Sequence, residues 1–478
     1  MHSSFFQEQK EYTLTNICEK LGSSQHELIP IISKLKKFGI LKLVKANEQP
    51  KNMSALSEID IEIPDDDIGK EDYLYIFTFV GVVLVSEYVL KCYPKYLLTK
   101  QEPKEELCQV LKVLEKNGSN DQIVKMFYNT NENGSFNLLA VLLFLIHDYY
   151  GNGLYSNTED IVKINGSGEI LWDKTINETF TYISNNRPYY PELITKKRVN
   201  NETDYFKCLH ECILTKISRE MKTAELLDLF EFTEIELTDV ELEDFGDTEY
   251  IVYRLEKELS TQFNTRKQLV LKALSAYLSN YKSTNETDSV SVFGTTSFNL
   301  VWEDVCANIL GNQLECPLAN LHLPSSELNE KYKLSDKLID IIEKPYWTIT
   351  GETATKTLIP DLITINDNQF IIFDAKYYTP ILESGKTPER QPGIESVTKQ
   401  FLYQLAYQSF IKDHCFSDVI NCFLMPTEKQ EVENKGKVTM KMFKDMNLKD
   451  IEVRYIPAST AYHHYLSSTK MDLSELQL

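Results

Sequence analysis

The sequence predicts a multi-domain protein of the mixed α/β class. Its 478 residues suggest about three domains, and its 42% hydrophobic and 25% charged residues are typical of a folded chain. Stretches with helical periodicity alternate with runs rich in Val, Ile and Phe. We expect a module at residues 1–55, a mixed α/β middle region that binds DNA or a partner at 70–285, a compact α/β unit at 291–430 and an extension at 431–478.

Residues 13–45 have the pattern of a helix-turn-helix followed by a strand. Ser24 and Glu27 predict a capping box that starts the second helix, Gly39 is expected to end that helix, and Pro30 is expected to kink it. The stretch is basic and contains Lys34, Lys36, Lys37, Lys42 and Lys45. One interpretation is a winged-helix module that binds DNA through Lys34, Lys36 and Lys37. The other is an amphipathic helical domain with a solvated lysine face.

The middle of the chain predicts further elements. A linker is expected at 46–70 and a β-rich segment from about residue 73. Helices are expected from Glu105 to Tyr150 and over 204–283, and "EILWDKTI" is expected to be β-like. The longest apolar run, Leu138 to Ile146, is too short to cross a bilayer and predicts a buried helix. The first residues lack a secretory pattern, so we expect no membrane association and a cytoplasmic location.

Composition limits the functions that the chain can have. A net charge of −21 argues against broad, charge-driven binding to a polyanion, although it allows a local basic surface. The nine cysteines form no CxxC pair, which favours reduced thiols. Cys208, His210 and Cys212 fall on one helical pattern, but a zinc site needs three or four converging ligands.

Three charged residues lie inside a predicted hairpin of otherwise apolar strands, "LIPDLITI" and "QFIIFDAKYY". A two-residue turn at Asp367-Asn368 places Asp361 opposite Asp374, because (361 + 374)/2 = 367.5 is the centre of that turn. Lys376, two residues beyond Asp374, lies on the same face.

Opposed strand residues have Cβ atoms about 4.5–5.5 Å apart, so two carboxylates there repel each other unless a cation lies between them. Oxygen ligands favour a hard ion, Mg²⁺ first. A neighbouring lysine can bind an anion such as a phosphate. A metal ion and a lysine beside the attacked phosphorus are the arrangement by which phosphodiesters are hydrolysed. The non-catalytic interpretation is an internal salt bridge between Lys376 and Asp374 or Asp361.

Flanking helices add two candidates. Glu303 in "FNLVWEDVCANIL" is expected to project toward the strand ends, with Asp304 as the exposed alternative. Gln400 and Gln404 share one face of the helix that follows the hairpin, with Tyr403 and Tyr407 beside it.

This order of motifs resembles the PD-(D/E)xK nuclease superfamily. It runs Glu303, Pro360-Asp361, Asp374-Ala375-Lys376 and Gln400. The chain is also similar to the LlaJI family of McrC-like restriction endonucleases from about residue 75 to 430, in "FTFVGVVLVSEYVLKCYPKY", "GSGEILWDKTI", "LVWEDVC" and "FDAKYY". The resemblance implies a restriction-endonuclease-like core at 291–430.

The superfamily implies a metal site and roles for its residues. Mg²⁺, with Mn²⁺ as a substitute, would be bound by Asp361, Asp374 and the Ala375 carbonyl, with help from Glu303. Lys376 would handle the attacking water, and Gln400 would position that lysine or the phosphate. The implied products carry 5′-phosphate and 3′-hydroxyl ends.

The LlaJI resemblance implies cleavage of double-stranded DNA in a prokaryotic restriction-modification system. McrC-like members work with an AAA+ NTPase of the McrB type, and this sequence contains no G-x-x-x-x-G-K-[ST] motif of its own. We expect a homodimer or a higher assembly when both strands are cut. Two alternatives stay open: a repair or recombination nuclease of the same superfamily, and a non-catalytic winged-helix regulator or scaffold subunit.

Overall fold

The computed structural model describes residues 2–45, 73–117, 137–200, 204–281, 290–325 and 327–478. The chain forms two compact units: residues 1–125, 229–231 and 290–478 make up unit 1, and residues 126–228 and 232–289 make up unit 2. Both units contain helices and strands, which confirms the mixed α/β class. The domain limits proposed above stay a prediction, and the expected linker at 46–70 lies outside the described residues.

The first part of unit 1 contains the predicted helix-turn-helix elements. The described elements are β1 (His2–Gln7), β2 (Glu11–Tyr12), α1 (Leu14–Leu21), α2 (Gln25–Lys37), β3 (Leu41–Lys45) and β4 (Tyr73–Phe77). The Ser24 backbone N–H donates to Glu27 at 3.0 Å, which confirms the capping box. Gly39 follows α2 with a φ of 68°, as its predicted role requires. The helix runs through Pro30 to Lys37.

Each of these two helices buries one apolar face. Leu14, Ile17 and Leu21 of α1 and Leu28, Ile32 and Leu35 of α2 are buried in one cluster with residues of β3 and β4. The strands form a three-stranded antiparallel sheet in the order β2-β4-β3.

A second sheet of unit 1 joins strands that are far apart in the sequence. It contains β1, β5 (Val80–Val85), β6 (Tyr88–Tyr93) and β12 (Val290–Thr295) in the order β1-β6-β5-β12. β1 is parallel to β6, whereas β12 is antiparallel to β5. Helix α3 (Lys104–Asn117) follows β6.

Unit 2 contains both helices and strands. Its elements are α4 (Leu138–Asn152), β7 (Thr158–Ile164), β8 (Glu169–Ile170), α5 (Trp172–Glu178), β9 (Tyr182–Ser184), β10 (Arg187–Tyr189), β11 (Ile194–Asn200), α6 (Tyr205–Thr223), α7 (Leu226–Leu229), α8 (Thr248–Thr261) and α9 (Thr265–Tyr281). The apolar run from Leu138 lies in the largely buried helix α4, which confirms that prediction.

The β-like interpretation of "EILWDKTI" was wrong over most of its length. Only Glu169–Ile170 is a strand, and the helix α5 begins at Trp172. Trp172 and Ile176 are four residues apart, the spacing of one helical face. Thr175 lies on the buried side, where its hydroxyl accepts from the Ile194 backbone N–H at 3.0 Å.

The last part of unit 1 is built on a five-stranded sheet. Its elements are α10 (Phe298–Ile309), β13 (Tyr346–Trp347), β14 (Glu352–Thr353), β15 (Leu362–Asn366), β16 (Gln369–Ala375), α11 (Ile394–Asp413), β17 (Asp418–Thr427), β18 (Glu433–Val438), α12 (Lys441–Asp445), β19 (Ile451–Pro457) and α13 (Ala458–Leu466). The strand order is β15-β16-β17-β19-β18. The predicted helix, hairpin, helix and strand of residues 297–426 are therefore present, and the sheet continues into the region beyond residue 430.

One face of this sheet packs its apolar residues against α11. Ile363, Ile365, Phe370 and Ile372 lie in a buried cluster with side chains of α11. β16 and β17 are parallel and α11 connects them. The hairpin that carries Asp361 and Asp374 is thus fixed by a helix on one face and by a parallel neighbour at its edge.

Candidate active site

The hairpin has the register that the sequence predicts. Ile363 pairs with Ile372 and Leu362 with Phe373, around a turn in which Asp367 has a φ of 50°. The next opposed pair away from the turn is Asp361 and Asp374. The alternation of side chains along the two strands therefore ends in two acids on the face that is apolar nearer the turn.

The two carboxyl groups are in contact. Asp361 accepts a hydrogen bond from the Ala375 backbone N–H at 2.8 Å and shares another with the carboxyl group of Asp374. Burial, followed by the hydrogen bond and the charge of Asp374, raises the pKa of Asp361 to about 9. Without a cation, the pair therefore holds a proton at neutral pH, because two carboxylates so close cannot both ionise.

Lys376 lies beside this pair. Its Nζ is 2.8 Å from Oδ1 of Asp374. Burial alone would lower the pKa of Lys376, but the charges of Asp374 and Asp361 outweigh burial, and the net change is upward. The side chain is therefore a cation at neutral pH. The ion pair of the non-catalytic interpretation is present, so this pair alone does not separate the two readings of the hairpin.

Glu303, and not Asp304, faces the hairpin. Burial raises the pKa of Glu303. A hydrogen bond with Asn299 and the charge of Lys376 lower this pKa in part, and the charge of Asp374 raises it further. Asp304 is exposed and accepts hydrogen bonds from Asn117 and Tyr465 at 2.9 and 2.7 Å. The choice of Glu303 made from the pattern of α10 therefore agrees with the orientation of the two side chains.

The donor set suits a hard divalent ion. Asp361 and Asp374 offer carboxylate oxygens whose mutual repulsion only a proton or a cation relieves. Mg²⁺ binds through one or two carboxylates and keeps several waters or phosphate oxygens. Within the described residues, no three His, Cys, Asp or Glu side chains lie close enough to enclose an ion. The site therefore fits an ion held by the aspartate pair, with Glu303 acting at longer range.

Gln400 does not contact Lys376 in this structure. Its amide Nε2 donates to the Ile372 carbonyl at 3.0 Å, and its Oε1 is buried with no hydrogen-bond partner among the described residues. The residue is fully buried and connects α11 to β16 two residues before Asp374. Its hydrogen bond fixes β16, the strand that contains Asp374 and ends just before Lys376.

Tyr403 is a neighbour of the site to which the sequence pattern gave no role. It is buried, and burial together with the charges of Asp374, Asp361 and Glu303 raises its pKa. Its position three residues after Gln400 places it on the same side of α11, which is the signal that could have identified it.

A cavity of about 610 Å³ opens beside the site. Glu303, Ala375 and Lys376 line one part of it. Asp374 is only 2% exposed and lies just behind this wall. Phe38, Gly39 and Lys42 of the helix-turn-helix region also line the cavity.

The lysines proposed to bind DNA lie elsewhere. Lys34 and Lys36 are half-buried and Lys37 is exposed, all in the last turn of α2. Of the five lysines in this basic stretch, Lys42 lines the described part of the cavity, and Lys34, Lys36 and Lys37 do not. Their role in DNA binding stays a prediction.

The cysteine and histidine cluster has a structural explanation. Nδ1 of His210 accepts from the Tyr155 backbone N–H at 3.0 Å, and burial lowers the pKa of this histidine to about 4. All nine cysteines are free thiols, and in the described part of the chain Cys208, His210 and Cys212 form no metal-binding group.

The model of the LlaJI restriction endonuclease family matches residues 79–459. The chain belongs to the LlaJI restriction endonuclease family. A relative from Bacillus subtilis strain 168, described as component YdjA of the type II restriction enzyme BsuMI, is 26% identical over 420 residues. That match covers 84% of this chain and 83% of the relative.

Two solved assemblies from Thermococcus gammatolerans also match this LlaJI-family chain. One is a half-complex of McrB AAA+ hexamers with bound McrC: the TM-score is 0.38 and the identity 13%, with 98% of this chain and 99% of the other covered. The other is the McrBC complex, with a TM-score of 0.26 and 11% identity over 63% of this chain and 84% of the other. Among the described residues, no helix has the length and apolar character needed to cross a membrane.

Proposed function

We propose that this chain is a Mg²⁺-dependent endonuclease that hydrolyses double-stranded DNA in a restriction system. The observation that carries the proposal is the contact of Asp361 with Asp374 beside a cationic Lys376, next to a cavity. Burying two carboxyl groups in contact costs free energy unless their negative charge binds a cation. Membership in a restriction endonuclease family makes a phosphodiester of DNA the substrate that suits this site.

Asp361, Asp374 and the Ala375 carbonyl would bind the Mg²⁺ ion, with Glu303 acting through water and Mn²⁺ able to substitute. When bound, the ion would supply an acidified water and stabilise charge on the attacked phosphate.

Lys376 acts as a cation in this proposal. Its raised pKa favours orienting the attacking water and holding negative charge on the phosphate over removing a proton. Gln400 holds β16 at the Ile372 carbonyl, so that Asp374 and Lys376 keep their places. Water oxygen attacks phosphorus and the bond to the 3′ oxygen breaks. The attacking water releases a proton to solvent and the departing 3′ oxygen takes one from solvent, which leaves a 5′-phosphate and a 3′-hydroxyl.

We further propose that the chain works with other subunits. Its relative in Bacillus subtilis is described as one component of a restriction enzyme, and an AAA+ NTPase of the McrB type is the partner that we infer. The absence of a P-loop motif from the sequence means that any NTP hydrolysis comes from such a partner. Cutting both strands would require two active sites, in a homodimer or a higher assembly.

Plasmid cleavage tests the proposal. The parent, Asp374→Ala and Lys376→Ala are incubated with Mg²⁺, with and without a purified AAA+ partner. We expect each substitution to lower the rate by about 10²–10³-fold, since each removes a charge that acts on the reacting phosphate. Lys386→Ala is the control, because its side chain is 73% exposed and pairs with Glu383.

The outcomes separate the candidate functions. Undiminished cleavage by both variants rejects the site. No cleavage by the parent under either condition favours a non-catalytic regulator or scaffold. Cleavage that depends on branched or broken DNA, with intact plasmid left uncut, favours a repair or recombination nuclease.

A further inference from the structure

The cavity beside the site has a second wall made by the first residues of unit 1. Phe38 and Gly39 at the end of α2, Lys42 of β3 and Thr78 after β4 line it together with Lys376. The helix-turn-helix region therefore borders the space that a phosphate must enter to reach Lys376 and Glu303.

Buried contacts hold the two walls together. The Tyr377 hydroxyl donates to Oε2 of Glu8 at 2.5 Å, and Tyr377 directly follows Lys376 in the chain. The Lys95 Nζ lies 4.4 Å from the centre of the Tyr377 ring and donates to Gln9 at 3.0 Å. Since Glu8 and Tyr377 are both buried, the end of β1 is fixed against the residue next to the catalytic lysine.

The charge of the cavity differs from that of the whole chain. The net charge of the sequence is −21, but the cavity is lined by more cations than acids. The cations are Lys42, Lys95, Lys376 and Arg390, and the acids are Glu8 and Glu303. Lys95 and Lys376 take part in the buried contact and the active site described above, and Lys42 and Arg390 are the other two cations of the lining.

A second cavity adjoins the first and shares Glu8, Gln9, Lys95, Thr379 and Arg390 with it. Its charged lining residues are the cations Lys10, Lys95 and Arg390 and the acids Glu8 and Glu11. Arg390 is exposed, in the loop between β16 and α11. The two cavities form a groove that leads from the active site along the N-terminal residues, and the sugar–phosphate backbone of a DNA strand is the extended polyanion that suits it.

We infer that the DNA strand that is cut lies in this groove, with backbone phosphates held by Lys42 and Arg390. This inference rests on the proposed nuclease function and extends it. The helix-turn-helix region would then hold DNA beside the scissile bond through β3 and the turn before it, and not through the lysines at the end of α2. Phosphate contacts of this kind position a duplex without reading its sequence.

The test measures binding of a fluorescent DNA duplex as a function of salt. Ca²⁺, which takes the same oxygen ligands, replaces Mg²⁺, and a gel verifies that the DNA stays intact. Lys42→Ala and Arg390→Ala should each reduce the slope of log K against log salt by about 0.9. At 0.1 M salt each should weaken binding roughly eightfold. Lys42→Arg, which keeps the charge, should retain the parent slope.

Lys386→Ala is the matched control, an exposed lysine in the same loop as Arg390 that does not line either cavity. The inference is overturned if Lys42→Ala and Arg390→Ala keep the parent slope, if Lys37→Ala alone reduces it, or if the parent fails to bind at all. Fluorescence of the buried Trp302 in each variant shows that the fold is intact. If Lys42→Ala and Arg390→Ala keep the parent slope while Asp374→Ala loses cleavage, this inference alone is rejected. If the two variants reduce the slope but the parent never cuts DNA, the nuclease proposal alone is rejected.

Discussion

The substitution Asp361→Asn should stabilise the metal-free protein while it abolishes cleavage. The pKa of Asp361 rises from 3.8 to about 9 on folding, so between these values the folded state holds a proton that the unfolded state has released. The free energy of unfolding therefore falls as pH rises through this range. At one pKa unit per 1.36 kcal/mol, the loss reaches about 4 kcal/mol at pH 7.

Asparagine removes this loss without removing the contacts. Its Oδ1 can accept from the Ala375 N–H, as Asp361 does at 2.8 Å, and its Nδ2 can donate to Asp374. In EDTA at pH 7 we expect the free energy of unfolding of Asp361→Asn to exceed that of the parent by about 4 kcal/mol. The gain should be less than about 2 kcal/mol at pH 5, because the unfolded parent is then closer to protonation.

Urea unfolding followed by tryptophan fluorescence measures the free energy of unfolding of both proteins at pH 5 and pH 7. Trp302 is fully buried in unit 1, whereas Trp172 and Trp347 are more than half exposed, so the spectral shift reports mainly on the core near the site. Asp367→Asn, in the exposed turn of the same hairpin, is the control and should change little. The reasoning is refuted if Asp361→Asn is no more stable than the parent, or if its gain is the same at both pH values.

Three further substitutions test the surroundings of the site. Gln400→Leu removes the hydrogen bond to the Ile372 carbonyl, so the free energy of unfolding in urea should fall by about 0.5–1.5 kcal/mol, and cleavage should fall because Asp374 and Lys376 lose a positioning contact; unchanged stability and cleavage would contradict this. Tyr377→Phe leaves buried Glu8 without its hydroxyl partner, and a double-mutant cycle with Glu8→Gln should show at least about 0.5 kcal/mol of coupling. Burial lowers the pKa of His210 from 6.5 to about 4, so the protection factors of unit 2 amides, which correct for intrinsic exchange, should fall as pH drops through this range; the same pH dependence in His210→Asn would contradict this.

The hairpin could be predicted because its register depends on local geometry. A two-residue turn fixes every opposed pair, so the positions of Asp361 and Asp374 follow from the location of the turn, and the structure has that register. Glu303 was a choice between adjacent acids. Asp304 accepts hydrogen bonds from Asn117 and Tyr465, and these partners come from distant parts of the chain.

Other features depend on partners that no local pattern reveals. The partner of Gln400 is a backbone carbonyl, and any residue type has one, so the sequence could suggest a role at the phosphate but not the contact with β16. The helix at Trp172 was missed because "EILWDKTI" is rich in residues that favour strands, while its apolar residues are spaced for a helix. The contact of Glu8 with Tyr377 joins positions more than 300 residues apart.

The pairing of β12 with β5 affects how the chain is made. Val85 pairs with Val290, so on the ribosome the edge of β5 stays without this neighbour while about 200 more residues are synthesised. At 5–20 residues per second this takes roughly 10–40 s. An unpaired strand of Val and Leu residues is a template for association with other chains. The nascent protein therefore has a period in which chaperone binding at residues 80–85 would favour correct assembly over aggregation.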